Sequence, residues 1–406
     1  MHLSFARASC LLLAVTGPLV AQDDRSPGQL LQPPTRETGV SLGEGGLVLR
    51  SPDSTYNLTV RFRVQNLVSA TSEPDATSLR EVDWSVRRAR LWLGGTIGDP
   101  RLTLLFQLGL SRRDQDAETW GYPVLVRDAF ATWRWNRHLR TGLGVAKLPG
   151  NRNRVLSSAD MVFPERAIVN NTFNIDRDLG VQAFWYDTAG RAPVHLSLAL
   201  TTGRGRAATP SRSAALTARV EVEPLGGFRP GNAYLEGAVL REPAPRLALG
   251  LTAQRAWDTD RAGVTVGPRL AGTADVTTLL ADGLFKWDRA TAYAEWAYRS
   301  AAGGITREPG GAPRFVTTGH GLMLQATWLA APRVDLAMRA AWVWPAGEVR
   351  QLPGGGATRQ FSLAVNRYLR GHRVKAQAEV TRLLGEATSP TPGATWLSRV
   401  NLEVGL

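Results

Sequence analysis

From residue 56 onward, apolar and polar positions take turns. Tyr56, Leu58, Val60, Phe62 and Val64 are apolar, and Asn57, Thr59, Arg61, Arg63 and Gln65 between them are polar. Successive side chains of a strand point to opposite faces, so this segment has one greasy face and one carrying two arginines. The same period returns in Leu102, Leu104, Phe106, Leu108 and in Leu322, Leu324, Ala326, Trp328. It is clear again in Val334, Leu336, Met338, Ala340, Trp342, Trp344, where Asp335 and Arg339 lie on the other face. The chain ends on it, with Val400, Leu402, Val404, Leu406 set against Arg399, Asn401, Glu403. No stretch shows a helical period, and an all-β fold is expected.

The pattern predicts strands over 56–68, 83–95, 101–110, 124–136, 138–147, 177–187, 192–202, 214–223, 245–257, 272–287, 289–300, 316–330, 332–345, 357–369, 371–384 and 395–406. That makes sixteen, an even number, as a closed antiparallel barrel with both termini on one side requires. Tight turns such as Gly98-Asp99-Pro100, Asn136-Arg137, Asp288 and Ala331-Pro332 alternate with loops of roughly ten to thirty residues. Short periplasmic turns and long extracellular loops mark a transmembrane antiparallel β-barrel of the outer membrane. Segment 224–244 departs from this: it belongs on the short-turn side yet is long and rich in Pro and Gly, and a hidden hairpin there would make eighteen strands. Of the thirteen Trp, Trp133, Trp135, Trp185, Trp287 and Trp328 fall near short-turn ends. Trp257, Trp296, Trp342 and Trp344 fall toward long-loop ends, which suits two aromatic girdles at the membrane interfaces.

The first residues speak to compartment. Arg7, the apolar stretch Cys10–Val20 and Ala21 read as a secretory signal peptide over 1–21, with Leu19 an imperfect fit at the position three before cleavage. Residues 22–55 follow as a polar periplasmic lead, and 56–406 form the barrel. The only cysteine, Cys10, lies in the signal segment, so the exported protein is expected to be thiol-free. Beyond that segment no apolar run reaches the roughly 18 residues of a spanning helix.

Charge decides what the barrel is for. The 48 basic residues exceed the 35 acidic ones, for a net charge of +13, and only Lys147, Lys286 and Lys375 are lysines. If the apolar faces meet lipid, the inner wall carries Arg61, Arg63, Arg88, Arg90, Arg134, Arg219, Arg339, Arg359, Lys375 and Arg399. It also carries Asp128, Glu221, Glu295, Asp335, Glu379 and Glu403. A sixteen-stranded barrel is wide enough for a water-filled channel, and inward-facing basic side chains favour anions. Arg61, Arg63, Arg88, Arg90 and Arg134 are the expected anion pathway. The third long loop, 148–176, with its flanking residues, supplies Lys147, Arg152, Arg154 and Arg166. Folded inward it would make a constriction, its arginine forks matching pairs of phosphate oxygens. Arg177 and Asp178 at its exit are expected to be structural, Asp178 as a partner for neighbouring arginines.

Several short segments, in order, resemble the phosphate-selective porins O and P. They are Gly46-Leu47-Val48, Arg61-Phe62-Arg63, Val86-Arg87-Arg88-Ala89-Arg90-Leu91 and Arg127-Asp128-Ala129-Phe130. Then come Gly144-Val145-Ala146-Lys147-Leu148-Pro149-Gly150 and Arg177-Asp178-Leu179-Gly180-Val181-Gln182. Ala274-Asp275-Val276, Ala294-Glu295-Trp296 and Val365-Asn366-Arg367-Tyr368 complete the set. The resemblance implies a homotrimer of sixteen-stranded barrels, each with an inward third loop and a basic ladder that passes anions. This chain has Lys147 and arginines where described members of that family use several lysines, and it ends in Leu406 where an aromatic is common.

Other classes fit less well. His2, His138, His195, His320 and His372 are scattered without metal-ligand spacing, so no metal or cofactor is expected. No nucleophile elbow is present and Gly354-Gly355-Gly356 lacks a strand-to-helix setting, which argues against an enzyme. Nucleic acid is not an expected partner of an exported barrel. Three readings stand: a porin for small, phosphate-like anions, a general or differently selective porin, and a non-conducting scaffold or adhesin plugged by loops 148–176 and 224–244.

Overall fold

The computed structural model describes residues 39–43, 45–53, 55–72, 79–115, 123–187, 192–206 and 212–406. The expected signal peptide lies outside them, as do the tips of three long loops. A short hairpin comes first, β1 (Gly39–Gly43) and β2 (Gly46–Arg50). The wall follows with β3 (Asn57–Ser72), β4 (Leu79–Ile97), β5 (Asp99–Gly109), β6 (Val126–Arg134) and β7 (Leu139–Lys147). Next are β8 (Arg177–Asp187), β9 (Val194–Thr201), β10 (Ala214–Val222), β11 (Arg246–Arg261), β12 (Arg269–Trp287) and β13 (Ala290–Ala302). A two-residue hairpin, β14 (Ile305–Thr306) and β15 (Arg314–Phe315), sits in a long loop. The wall resumes with β16 (Gly319–Ala331), β17 (Val334–Pro345), β18 (Thr358–Arg370), β19 (Val374–Gly385) and β20 (Gly393–Gly405).

Each wall strand pairs antiparallel with the next, and β20 closes onto β3 from Trp396↔Ser72 to Gly405↔Arg63. The result is a sixteen-stranded barrel, and each wall strand overlaps one of the sixteen predicted. Closure leaves no wall strand with a free edge, which is what a hydrocarbon surroundings demands of a sheet. The eighteen-strand alternative is not realised, because 224–244 forms no wall strand; it contains a single 3₁₀ turn at Asn232–Tyr234. The stretch expected to be a plain lead instead holds the β1–β2 hairpin. It pairs with β3 from Leu47↔Val60 to Arg50↔Asn57, just beyond the point where β20 ends. The chain's end thus leaves a short length of β3 uncovered, and the N-terminal hairpin takes it up.

Alternation sorts the two faces as the period requires. On β17, Leu336, Met338 and Trp344 face out and are exposed, while Asp335, Ala337, Arg339, Ala341 and Val343 face in and are buried. Exposed Trp135, Trp287 and Trp328 ring the short-turn end, and exposed Trp84, Trp257, Trp296 and Trp344 ring the other. Arg359 corrects one expectation: its neighbours Thr358 and Gln360 face the interior, so Arg359 points outward near the long-loop end of β18. One-residue parity decides this, since a single step along a strand reverses the face.

The outer face predicts its own test. Leu363, mid-way along β18 and exposed, lies at the depth where a charge has no water to reach. Leu363→Arg should cost about 2–4 kcal/mol in reversible refolding into lipid vesicles, whereas Arg359→Ala should be close to neutral. Equal, small effects of the two substitutions would contradict the placement of the lipid-facing surface.

Candidate functional site: the filled lumen

Two segments enter the barrel from opposite ends. The third long loop, 148–176, carries two short helices, α1 (Arg152–Val155) and α2 (Ile168–Phe173), and most of its residues are buried. From the short-turn side, connector 224–244 buries Asn232, Ala233, Leu235, Glu236 and Ala238. The two segments meet inside. Arg152 Nη1 donates to the Ala233 carbonyl at 2.7 Å, and Asn153 Nδ2 to Glu236 Oε1 at 3.0 Å. The Val162 amide donates to Glu236 Oε2 at 2.9 Å, and the Glu236 amide returns a bond to the Asp160 carbonyl at 3.0 Å.

The wall's cations hold this filling in place by donating to its backbone. Lys375 Nζ reaches the carbonyls of Ala159 and Met161, the latter at 2.7 Å. Lys147 Nζ reaches those of Val155 and Leu156 at 3.1 and 3.2 Å. Arg299 reaches Thr172 and Asn174 at 2.9 and 3.0 Å. Arg339 reaches Glu165 at 2.9 Å with its guanidinium over the Phe163 ring, and Arg88 reaches Pro164 at 3.2 Å. On the connector, Lys286 Nζ donates to Asn232 Oδ1 and to the carbonyls of Leu235 and Gly237 at 2.6–2.9 Å. A loop drawn into a barrel brings carbonyls that have left water behind, and hydrogen bonds to ionised donors are the stronger kind, each worth about 1.5–3 kcal/mol.

Carboxylates neutralise the remainder. Arg152 Nη2 and Arg219 Nη2 each lie 2.8 Å from Glu221 Oε2, and both guanidiniums bond Asp282. Arg90 grips Asp114 through two bonds of 2.8 Å, and Arg63 meets Glu403 at 2.9 Å. Arg87 and Arg88 both pair with Glu165 of the loop. Burial alone would raise the Glu165 carboxyl, but Arg88 and Arg87 outweigh it and hold it at about 2.

A greasy seam completes the fit. Leu148, Val169, Phe173 and Ile175 of the loop pack on Leu280, Leu284, Met323 and Val343, which face inward from β12, β16 and β17. Gly321 makes the approach possible, because a Cβ there would sit 2.8 Å from Val169 and 2.9 Å from Phe173.

The expected pathway residues therefore fall into distinct layers. Arg63, Arg88, Arg90, Lys147 and Arg152 are buried, as is Arg177, which bonds Asp128 through two contacts of 2.9 Å. Asp178 is buried too, accepting bonds from Thr202 Oγ1 and the amides of Leu179, Gly203 and Gly205 to fasten the next loop. Toward the long loops, Arg154 pairs with Asp176, and Arg166 donates to the carbonyls of Asn153 and Leu156; both are half-buried. Toward the short turns, Arg61 lies 4.7 Å over the Trp92 ring, and Arg134 stands opposite Arg140; all three arginines are half-buried. The open, water-filled cross-section expected from barrel width is not what the middle of the lumen shows. Sequence reasoning passed over Arg140, Lys286 and Arg299, although strand parity alone places each on the inner wall.

Comparison with known proteins agrees with this architecture. Residues 58–236 match the family model described as phosphate-selective porin O and P. The chain carries the pattern of an outer-membrane porin over those residues and has the porin fold. OmpF of Salmonella typhi, solved with daunomycin, superposes with a TM-score of 0.56 at 9% identity, over 87% of this chain and 98% of that one. A loop-deletion mutant of OmpT, an outer membrane protein of Vibrio cholerae, gives 0.53 at 12% identity, over 87% and 100%. The outer membrane channel DcaP of Acinetobacter baumannii gives 0.51 at 10%, over 91% and 100%. At such identities the likeness concerns the fold. No curated protein sequence matches the porin.

The Glu165 clasp predicts a pH dependence. A carboxyl lowered from 4.5 to about 2 adds stability that is fully present above its ordinary value. That stability declines as pH falls below 4.5 and is gone below about 2. The fall in thermal midpoint of detergent-solubilised porin between pH 5 and pH 2 should be smaller in Glu165→Gln. Identical slopes would remove this clasp from the latch.

Proposed function

We propose that the porin passes small anions, phosphate-like oxyanions among them, and that the arrangement described above is its closed state. The observation that carries this reading is the layering of cations. Half-buried Arg154 and Arg166 lie above a buried basic layer, and half-buried Arg61, Arg134 and Arg140 lie below it. An anion approaching from either side meets arginines first, in a wall whose low dielectric strengthens their pull.

The middle layer suggests how passage could begin. There Lys147, Arg299, Arg339 and Lys375 donate to neutral carbonyls of the loop. A charged oxyanion is a better acceptor for the same donors, because bonds with both partners ionised are roughly twice as strong as neutral ones. An entering phosphate can thus compete with the loop for the wall and shift the equilibrium toward an undocked form, by as much as its preference for that form allows. A homotrimer is part of the proposal, supported by the resemblance and by a trimer form of Vibrio cholerae OmpT with the same fold.

A second reading, a non-conducting scaffold, draws on the inward Leu280, Leu284, Met323 and Val343, which give the loop a dry anchor. Planar-bilayer recording separates the two. The native porin should show small, anion-selective conductance across a KCl gradient. Gly321→Leu, which drives Val169 and Phe173 off the wall, should enlarge the conductance several-fold and keep its sign. Adding Arg154→Ala and Arg134→Ala should then lower the anion preference. Silence in both the native chain and Gly321→Leu would support the scaffold, and cation selectivity would refute the anion reading.

A further inference from the structure

At the short-turn end of the lumen, His195 of β9 stands opposite Glu221 of β10 in register, both facing inward. Glu223, two residues on, faces the same way. One ligand atom from each of the three lies within 4.8 Å of the others. We propose that His195, Glu221 and Glu223 form a binding site for a divalent transition-metal cation of the zinc type, where the wall meets the connector that plugs it.

Three features favour a cation over an ordinary polar cluster. First, Glu223 is 6% exposed yet forms no ion pair among the described residues; its Oε2 accepts from the Phe228 amide at 3.2 Å. A buried carboxylate without a countercharge is costly, and a bound cation removes that cost. Second, the His195 ring meets the Tyr186 ring edge-on at 5.1 Å, and among the described residues no hydrogen bond engages either of its nitrogens. One can serve as a ligand and the other can face water. Third, the donor set of one imidazole and two carboxylates suits zinc, whose bonds of about 2.0–2.2 Å place tetrahedral ligands roughly 3.4 Å apart. Modest side-chain rotation covers the difference.

The site has a consequence for the plug. Glu221 also accepts from Tyr234 of the connector at 2.9 Å and pairs with Arg152 of the loop at 2.8 Å. A metal taking one Glu221 oxygen competes with both. The occupied site therefore loosens the grip that Glu221 has on each lumenal insert.

Tag-free, full-length protein in detergent tests this with Zn²⁺ by calorimetry and with Co²⁺ by visible absorption. The expected result is one saturable Zn²⁺ site per chain and a Co²⁺ d–d band of low coordination number. His195→Ala and Glu223→Gln should each weaken Zn²⁺ at least tenfold and abolish the band, while His320→Ala, on the outer rim beside Trp296, should change neither. Heat-modifiable gel migration of each variant confirms that the barrel has formed, so loss of binding is not loss of fold. Absence of saturable binding in the native protein, or unchanged binding in both site variants, overturns the proposal.

Discussion

Everything in this barrel depends on how the carbonyl groups of a polypeptide are satisfied once it leaves water for the lumen. The third loop takes its backbone into the barrel in short helices and turns, which leave most carbonyls unpaired. The wall answers with ammonium and guanidinium groups at the matching heights, Lys147 from β7, Arg299 from β13, Arg339 from β17 and Lys375 from β19. Remove the loop and the same groups form a bare cationic lining. Restore it and they become the loop's hydrogen-bond donors. The wall charge that suggests an anion pathway from sequence is thus also the charge that closes it.

The closing is built redundantly. Polar donors set the loop's height, the apolar seam between α2 and β16–β17 sets its angle, and the connector locks against it from below through Glu236 and the Ala233 carbonyl. No one of these contacts is large against the cost of ordering about 50 residues of loop and connector, at 1–2 kcal/mol per residue for the backbone alone. Their sum is a small difference between large terms. An equilibrium of that kind responds to modest perturbations: an oxyanion, a proton on Glu165 or a cation at Glu221.

The fold was legible because period-two alternation is enforced at every wall strand by lipid on one side and polar groups on the other. Strand positions, count and the aromatic girdles all followed from it. Three features did not. The β1–β2 hairpin is short and polar-flanked, and its pairing with β3 depends on where the distant C-terminus stops. Arg359 shares its parity with the outward row Phe361, Leu363 and Val365, and its charge outweighs the period when the sequence is read alone. Connector 224–244 stands out by its length and enters only the scaffold reading as a plug, since its Pro and Gly residues speak to local turns and say nothing of what lies above them. The candidate site was readable in part for the same reason. Inward position could be assigned for Arg63, Arg88 and Arg90, but burial depends on what fills the space opposite, and no local pattern encodes that.

The central claim is that the mid-lumen is filled and water-excluded while both ends stay wet. Cys10 is the chain's one cysteine, so single-cysteine variants made on a Cys10→Ala background give an unambiguous readout. The direct measurement is the rate at which a small, charged methanethiosulfonate reagent labels Ser158→Cys, between Arg63 and Arg90, relative to Ser197→Cys, nearer the short-turn end. The account predicts that Ser158→Cys reacts at least a hundredfold more slowly than Ser197→Cys in the folded protein. Comparable rates at the two positions would mean an open, hydrated pore and would contradict it.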